Sequence, residues 1–199
     1  MNLLLLTGVS MSALWSQVKN RSGSDSTIFI SNTVFLPDFP FRSGAQNWDL
    51  LLTNVDRDTL LEVVSLDRKT SKIWVHQSDG KGDLGSKKAF PAVSQGRALI
   101  AIPGKAQPDL AVVNIRGQVQ ILSNDGNGQF SGAQVLKAGR LGQGLTARIH
   151  PQSGKPEILV AGLAEAKVFL FQANAEGRYK AEAPFPTGRK PRTLALGDI

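Results

Sequence analysis

The sequence contains no cysteine, so a disulfide framework and a thiolate metal site are both excluded. It also lacks any run approaching the roughly 20 apolar residues of a membrane-spanning helix, and we expect no membrane span. Aromatic residues make up 7% of the 199 residues and do not interleave with basic ones, as a stacking platform for nucleic acid requires. We therefore expect no nucleic-acid partner.

Motifs of common enzyme classes are missing as well. No G-x-S-x-G string marks a serine nucleophile, and His76 and His150 lie in distant parts of the chain with no triad partners indicated. The string G-x-G-x-x-G at residues 80–85 follows a predicted strand, but residues 86–91 cannot open the helix that a dinucleotide site needs. We interpret this string as a hairpin turn and expect that the chain is not an enzyme.

Basic residues outnumber acidic ones, 23 to 16, which gives a formal net charge of +7. They are dispersed along the chain, and the densest group, Arg189, Lys190 and Arg192, is interrupted by Pro191. A basic balance of this kind is compatible with an anionic ligand. We expect either an acidic polysaccharide or a protein as the partner.

Three segments of the chain repeat one pattern of an apolar run, an alternating run and a glycine-containing hairpin. The apolar runs and the alternating runs lie at residues 60–65 and 72–76, 108–114 and 118–122, and 156–162 and 167–171. The acidic residues Glu62, Asp109 and Glu157 fall near the start of each unit, at spacings of 47 and 48 residues. This period, with four short apolar runs per unit, is typical of a four-stranded propeller blade.

The sequence therefore predicts an all-β fold, a β-propeller of four-stranded antiparallel blades, with residues 1–199 forming a single propeller region. The blades are predicted at residues 49–97, 98–145 and 146–192, with strands of partial blades at 1–48 and 193–199. We expect a fragment of a six- to eight-bladed propeller. A four-bladed ring closed by pairing of the two chain ends is the alternative.

The repeats resemble FG-GAP/VCBS repeats, the integrin-alpha-like propeller family. The strings D-L-A-V-V-N at residues 109–114 and N-D-G-N-G-Q-F at residues 124–130 are close to a strand and a hairpin of that family's pattern. The similarity extends from about Asp49 to the end of the chain. It implies an extracellular binding, adhesion or scaffold module, with Ca²⁺ held in an aspartate-rich loop between the first two strands of a blade.

One loop keeps the oxygen ligands that this resemblance implies. Loop positions 1, 3, 5 and 9 are Asn54, Asp56, Asp58 and Glu62. Alternate residues of a tight loop can direct their oxygens at a hard cation, and the resemblance adds the carbonyl of Leu60. Because Asn54 replaces a carboxylate and Thr59 stands where glycine would ease the turn, we expect weak Ca²⁺ binding.

The corresponding loops of the next two units have lost this chemistry. No carboxylate precedes Asp109 or Glu157 in its loop, and a lysine, Lys105 or Lys155, lies close to where a cation would bind. We interpret both loops as structural turns.

The resemblance places the protein outside the cell or at the cell surface, the periplasm included. Residues 1–15 contain an apolar block that suits a signal peptide, although the basic segment is missing; a β-strand is the second interpretation. Two other functions stay open: the propeller part of a polysaccharide-active enzyme, and a small propeller lectin. Activity on acidic polysaccharide would identify the first, and binding to a glycan array the second.

Overall fold

The computed structural model describes residues 44–80 and 84–196. These ranges contain thirteen β-strands and no helix, and therefore no helix that could cross a membrane. The strands of the first two sheets are β1 (Asn47–Thr53), β2 (Glu62–Asp67), β3 (Lys72–Ser78), β4 (Leu84–Pro91), β5 (Gly96–Ile102), β6 (Asp109–Asn114), β7 (Gln118–Asn124) and β8 (Phe130–Lys137). Those of the third are β9 (Gly142–Ile149), β10 (Pro156–Gly162), β11 (Lys167–Ala173), β12 (Tyr179–Ala181) and β13 (Phe185–Pro186).

Each sheet is an antiparallel meander in sequence order, β1 to β4, β5 to β8 and β9 to β12, with β13 also paired to β11. The predicted units of four antiparallel strands are thus confirmed. The first strands, β1, β5 and β9, lie beside one another and bring the three sheets face to face.

Two hydrophobic cores fill the spaces between successive sheets. The first core, between sheets one and two, includes Leu66, Ile73 and Phe130. The second core, between sheets two and three, includes Ile158 and Phe171. Side chains of successive residues on a strand point to opposite faces, and β6 is apolar throughout from residue 110 to 113, so that strand contributes to both cores.

Apart from residues 182–184, which join β12 to β13 along β11, this connectivity places the loops between described strands at one of two ends of the sheets. We call one end the turn face; it carries residues 67–72, 91–97, 114–118, 137–142, 162–167 and 186–192. The opposite end, the loop face, carries residues 53–62, 78–80, 102–109, 124–130, 149–157 and 173–179.

Two predicted segments differ from the structure. Of the strand of a further blade predicted at residues 193–199, residues 193–196 are assigned to no strand in the described part of the chain. Asn47 and Trp48, assigned to a preceding partial blade, belong to β1, because backbone pairing with β2 continues beyond the apolar run. The strands or signal peptide predicted at residues 1–43, and residues 197–199, lie outside the described residues.

Candidate functional site

The loop between β1 and β2 is wound tightly by its own carboxylates. Oδ1 of Asp56 accepts the backbone N–H of Asp58 at 3.0 Å, and Oδ1 of Asp58 accepts that of Leu60 at 2.7 Å. Aspartate favours such turns because its short side chain reaches the amide two residues ahead. The two turns follow each other and hold both aspartates on one short stretch of backbone.

Glu62, at the start of β2, is fully buried beside this loop. Its Oε2 accepts the N–H of Val55 at 2.9 Å, whereas its Oε1 is buried with no hydrogen-bond partner. One carboxylate oxygen from each of Asp56, Asp58 and Glu62 lies within 4.8 Å of the others. A buried acceptor without a partner is costly, and here it lies next to two further carboxylates.

Burial raises the pKa of Glu62 above its ordinary value, and the charges of Asp56 and Asp58 raise it further. The N–H of Val55 acts in the opposite direction and does not cancel these effects. The site therefore favours a positive charge, supplied by a proton or by a cation. Carboxylate oxygens in a compact group are the ligands of hard divalent cations such as Ca²⁺, so the residues present fit the predicted metal.

The other two predicted ligands lie in the same loop. Asn54 donates its Nδ2 hydrogen to the carbonyl of Asp58, and its Oδ1 is buried without a hydrogen-bond partner. Leu60 takes part through its N–H, which Asp58 accepts. The structure thus brings together the three carboxylates, and it ties Asn54 and Leu60 to the same turn by hydrogen bonds.

In the other two sheets, the equivalent acidic residue is already paired with a lysine or an arginine. Asp109 binds Nζ of Lys105 with both oxygens, at 2.9 and 2.8 Å. Glu157, also buried, accepts Nε of Arg148 at 2.8 Å. Sequence reasoning indicated Lys155 for this second role; Arg148 takes it because Arg148 lies directly opposite Glu157 across the β9–β10 pair.

A second group of functional candidates joins a tryptophan to two arginines, and this grouping was not predicted from the sequence. We call it the Trp48 cluster: Cζ of Arg68 lies 4.6 Å, and Cζ of Arg97 4.8 Å, from the centroid of the Trp48 ring. Trp48 belongs to β1, Arg68 follows β2 directly, and Arg97 belongs to the next sheet. The available signal was the repeat itself, because Trp48 and Arg97 occupy the same position in successive units.

Both histidines have places in the fold. His76 is buried in the first sheet. Nδ1 of His150 accepts the N–H groups of Gln152 and Ser153 at 3.2 and 3.1 Å, which holds the turn between β9 and β10. One ring thus lies in the first sheet and the other in a loop of the third.

Comparison with known proteins supports the architecture and goes no further. No family model matches the chain, and no curated protein matches it. Among solved structures, a crystal structure of BBS1N in complex with ARL6DN matches with a TM-score of 0.51 and 12% identity, over 73% of this chain and 41% of that one. A protein from Lactobacillus plantarum matches with a TM-score of 0.53 and 17% identity, over 70% of this chain and 41% of that one.

Both neighbours are β-propeller-like, so the predicted β-propeller architecture is confirmed. At these identities the similarity shows the fold alone. The chain spans about two fifths of the length of either neighbour.

Proposed function

We propose that this chain is a non-catalytic, extracellular binding or scaffold module of the FG-GAP/VCBS type, whose first blade is stabilised by Ca²⁺. The observation that carries the proposal is the unpartnered, buried Oε1 of Glu62 beside Asp56 and Asp58. A protein of this kind presents its loops on a rigid body, and the metal makes one of those loops rigid.

Comparison of the three sheets supports the proposal that a metal ion binds beside Glu62. A carboxylate stands at the start of the second strand in each, and Lys105 and Arg148 neutralise it in sheets two and three. In the first sheet a cluster of three carboxylates takes the place of that ion pair. A divalent cation would give Glu62 the positive partner that Asp109 and Glu157 obtain from the protein.

The expected affinity supports an extracellular location. A site with three carboxylates, Asn54 and no glycine at residue 59 falls in the weak range of Ca²⁺ sites, with a Kd on the order of 10⁻⁴–10⁻³ M. Such a site is filled where calcium is millimolar, as it is outside cells. The non-catalytic assignment agrees with the commitment of His150 to its own turn.

Thermal unfolding with and without Ca²⁺ tests the proposal. Binding to the folded state alone should raise the melting temperature by roughly 3–8 °C at 10 mM Ca²⁺. Mg²⁺ should act more weakly, because it requires near-ideal octahedral geometry. An unchanged melting temperature in Ca²⁺ would overturn the metal assignment.

Three variants separate metal binding from turn formation. Asp58→Ala should abolish the calcium response, whereas Asp125→Ala should retain it. Asp125 is a matched control because it also holds a turn, accepting the N–H groups of Asn127 and Gln129 at 2.8 and 3.2 Å. Glu62→Gln should melt at or above the unmutated protein without calcium, since it removes a buried charge, and should not respond to calcium.

The enzymatic alternative has its own measurement. We expect no new reducing ends and no unsaturated products when the chain is incubated with polygalacturonate or heparin. Release of either product, at a rate above that of heat-inactivated protein, would contradict the non-catalytic assignment.

A further inference from the structure

The two ends of the sheets carry opposite balances of charge. The six segments of the turn face contain eleven lysines and arginines: three in 67–72, one each in 91–97 and 114–118, two in 137–142, one in 162–167 and three in 186–192. Their acidic residues are Asp67 and Glu165. The described segments of the loop face contain eight acidic residues against four basic ones. Basic residues that are dispersed in sequence are therefore gathered by the fold at one end.

One carboxylate of the turn face is occupied by backbone N–H groups, and the other neutralises a single one of these cations. Asp67 is fully buried and accepts four backbone N–H groups, including those of Ala45 at 2.7 Å and Lys69 at 2.9 Å. Glu165 accepts the N–H of Arg140 at 3.1 and 3.0 Å and pairs with its guanidinium. Nine of the eleven basic residues are exposed, so this end presents a positive field.

The Trp48 cluster lies on this face. It contains the two basic residues of the face that are not exposed, Arg68 and Arg97, which are both half-buried. Two guanidinium groups lie beside one indole, and the structure gives neither an acidic partner among the described residues. Nε of Arg97 is buried without a hydrogen-bond partner. Like charges held close together in a partly dry site call for an anion.

The backbone explains how these side chains come together. Each of β1, β5 and β9 has a register irregularity at its start, next to the turn face. Such bulges redirect a side chain, and the bulge residues of β1 and β5 are Trp48 and Arg97. The indole therefore meets a guanidinium from the next sheet, while Arg68 reaches it from the turn after β2.

We propose that the turn face binds an acidic polysaccharide, with a carboxylate or sulfate group of the chain held at the Trp48 cluster. The inference rests on the proposed function, since it names the partner of the binding module. A guanidinium presents a planar pair of donors that matches carboxylate and sulfate oxygens, and the indole keeps both guanidiniums in place. The exposed basic residues of the other turns would hold further acidic groups along the polymer.

The same observations favour polysaccharide over nucleic acid and over a lipid surface. The described part of this face consists of turns, and offers neither a helix nor a projecting ribbon to enter a groove of duplex DNA. Trp48 is 43% exposed and is contacted by two guanidiniums. Its ring therefore serves the anion site, and is poorly placed to stack on bases or to insert into hydrocarbon.

Binding to four immobilised probes tests the proposal: heparin, polygalacturonate, duplex DNA and phosphatidylserine vesicles, at one ionic strength, with dextran as a neutral reference. We expect binding to at least one of the two acidic polysaccharides, and their order shows whether sulfate or carboxylate is preferred. The affinity should fall steeply with added salt, as for other polyelectrolytes. Equal or tighter binding to DNA or vesicles would overturn the choice of partner, and no binding to either polysaccharide would overturn the proposal.

A pair of double variants locates the site. Arg68→Ala with Arg97→Ala should weaken polysaccharide binding by about tenfold to a hundredfold, because charge-assisted hydrogen bonds are lost. Lys155→Ala with Arg178→Ala removes the same charge from the loop face and should change the affinity by less than about twofold. Equal losses in the two pairs would overturn the role of the turn face.

Two more variants separate this inference from the calcium site and from misfolding. Arg68→Lys with Arg97→Lys keeps the charge and removes the planar donor pair, so several-fold weaker binding is expected, and unchanged binding would overturn the assignment to the Trp48 cluster. The arginine variants should keep the calcium response of the melting temperature, which shows that they fold. Glu62→Gln should lose that response and still bind polysaccharide.

Discussion

Asp67 shows how one side chain closes a turn of the blade. Its carboxylate accepts N–H groups from both sides, from Ala45 and Gln46 before β1 and from Lys69 and Thr70 in the β2–β3 turn. Burial alone would raise the pKa of Asp67. Hydrogen bonds from the Ala45 amide, from the side chain and the amide of Thr70, and from the Gln46 amide outweigh burial and lower the pKa to about 2. The ionised form is the one that the fold stabilises.

We predict that Asp67 contributes a pH-dependent share of the stability. Because its pKa is lowered on folding, the contribution is present in full above the ordinary value of 3.8 and is lost as the pH falls towards 2. Asp67→Asn should therefore reduce the free energy of unfolding by about 2 kcal/mol at pH 7, and by much less near pH 2. Urea unfolding of both proteins across this range measures the difference.

The second sheet supplies the steric control for that variant. Asn114 occupies the position of Asp67 there, and its Oδ1 accepts the N–H groups of Arg116 and Gln118 at 3.0 and 2.9 Å. Asparagine is thus compatible with this turn, and the loss in Asp67→Asn reports the ionised carboxylate, that is, its charge and its second acceptor oxygen. A constant difference between pH 7 and pH 2 would contradict the assignment of the low pKa.

At the scale of the strand, the three sheets share one backbone arrangement but differ in the partner of the acidic residue near the start of the second strand. The residues Glu62, Asp109 and Glu157 stand at the start of β2 and β6 and near the start of β10. Asp109 is partly accessible and its lysine is largely exposed, whereas the side chain of Glu157 is 3% exposed beside Arg148. Ion pairs at the surface contribute little, and unpartnered buried charges cost much.

We therefore predict unequal effects of removing the two cations. Lys105→Ala should lower the free energy of unfolding by less than about 1 kcal/mol, and Arg148→Ala by about 2 kcal/mol. The double variant Arg148→Ala, Glu157→Gln should recover most of the second loss, because the buried charge is gone. Chemical denaturation of the four proteins measures these differences, and failure of the double variant to recover would show that Arg148 acts by packing.

Elements were predictable where the determining contacts are local. The apolar runs before each hairpin predicted the central strands, and the D-x-D spacing placed Asp56 and Asp58 on one loop, since each turn closes over two residues. The Trp48 cluster could not be predicted from local sequence contacts. Its members approach one another only after Arg97 has been brought beside β1 by the packing of the second sheet against the first.

At the scale of the whole molecule, charge and cooperativity both follow from the repeat. Each sheet has four successive strand positions, the last of which β12 and β13 share in the third sheet, so the chain returns to the same end each time and every turn of one type shares a face. The alternation of turns between two ends follows from the predicted four-stranded units. Assigning each basic residue to an end requires the strand bounds, which the sequence alone does not fix. The sequence analysis therefore described these residues only as dispersed.

The packing of β6 predicts that the three sheets unfold together. Leu110 and Val112 lie in the first core, while Ala111 and Val113 lie in the second, so neither core can open without exposing one face of the same strand. Val113→Ala, in the second core, should lower the free energy of unfolding by about 2 kcal/mol, and the melting temperature by roughly 4–8 °C.

Two spectroscopic probes show whether the stability lost in Val113→Ala is lost by all three sheets or by the second core alone. In a Trp15→Phe background, tryptophan fluorescence reports the first sheet alone, through Trp48 and Trp74, and far-ultraviolet circular dichroism reports all three sheets. Because the shared strand couples the cores, both probes should shift by the same amount in Val113→Ala, although the substitution lies in the core that the first sheet does not line. An unshifted fluorescence transition, with an earlier transition by circular dichroism, would show instead that the sheets unfold one by one, as in repeat arrays whose units interact only with their neighbours.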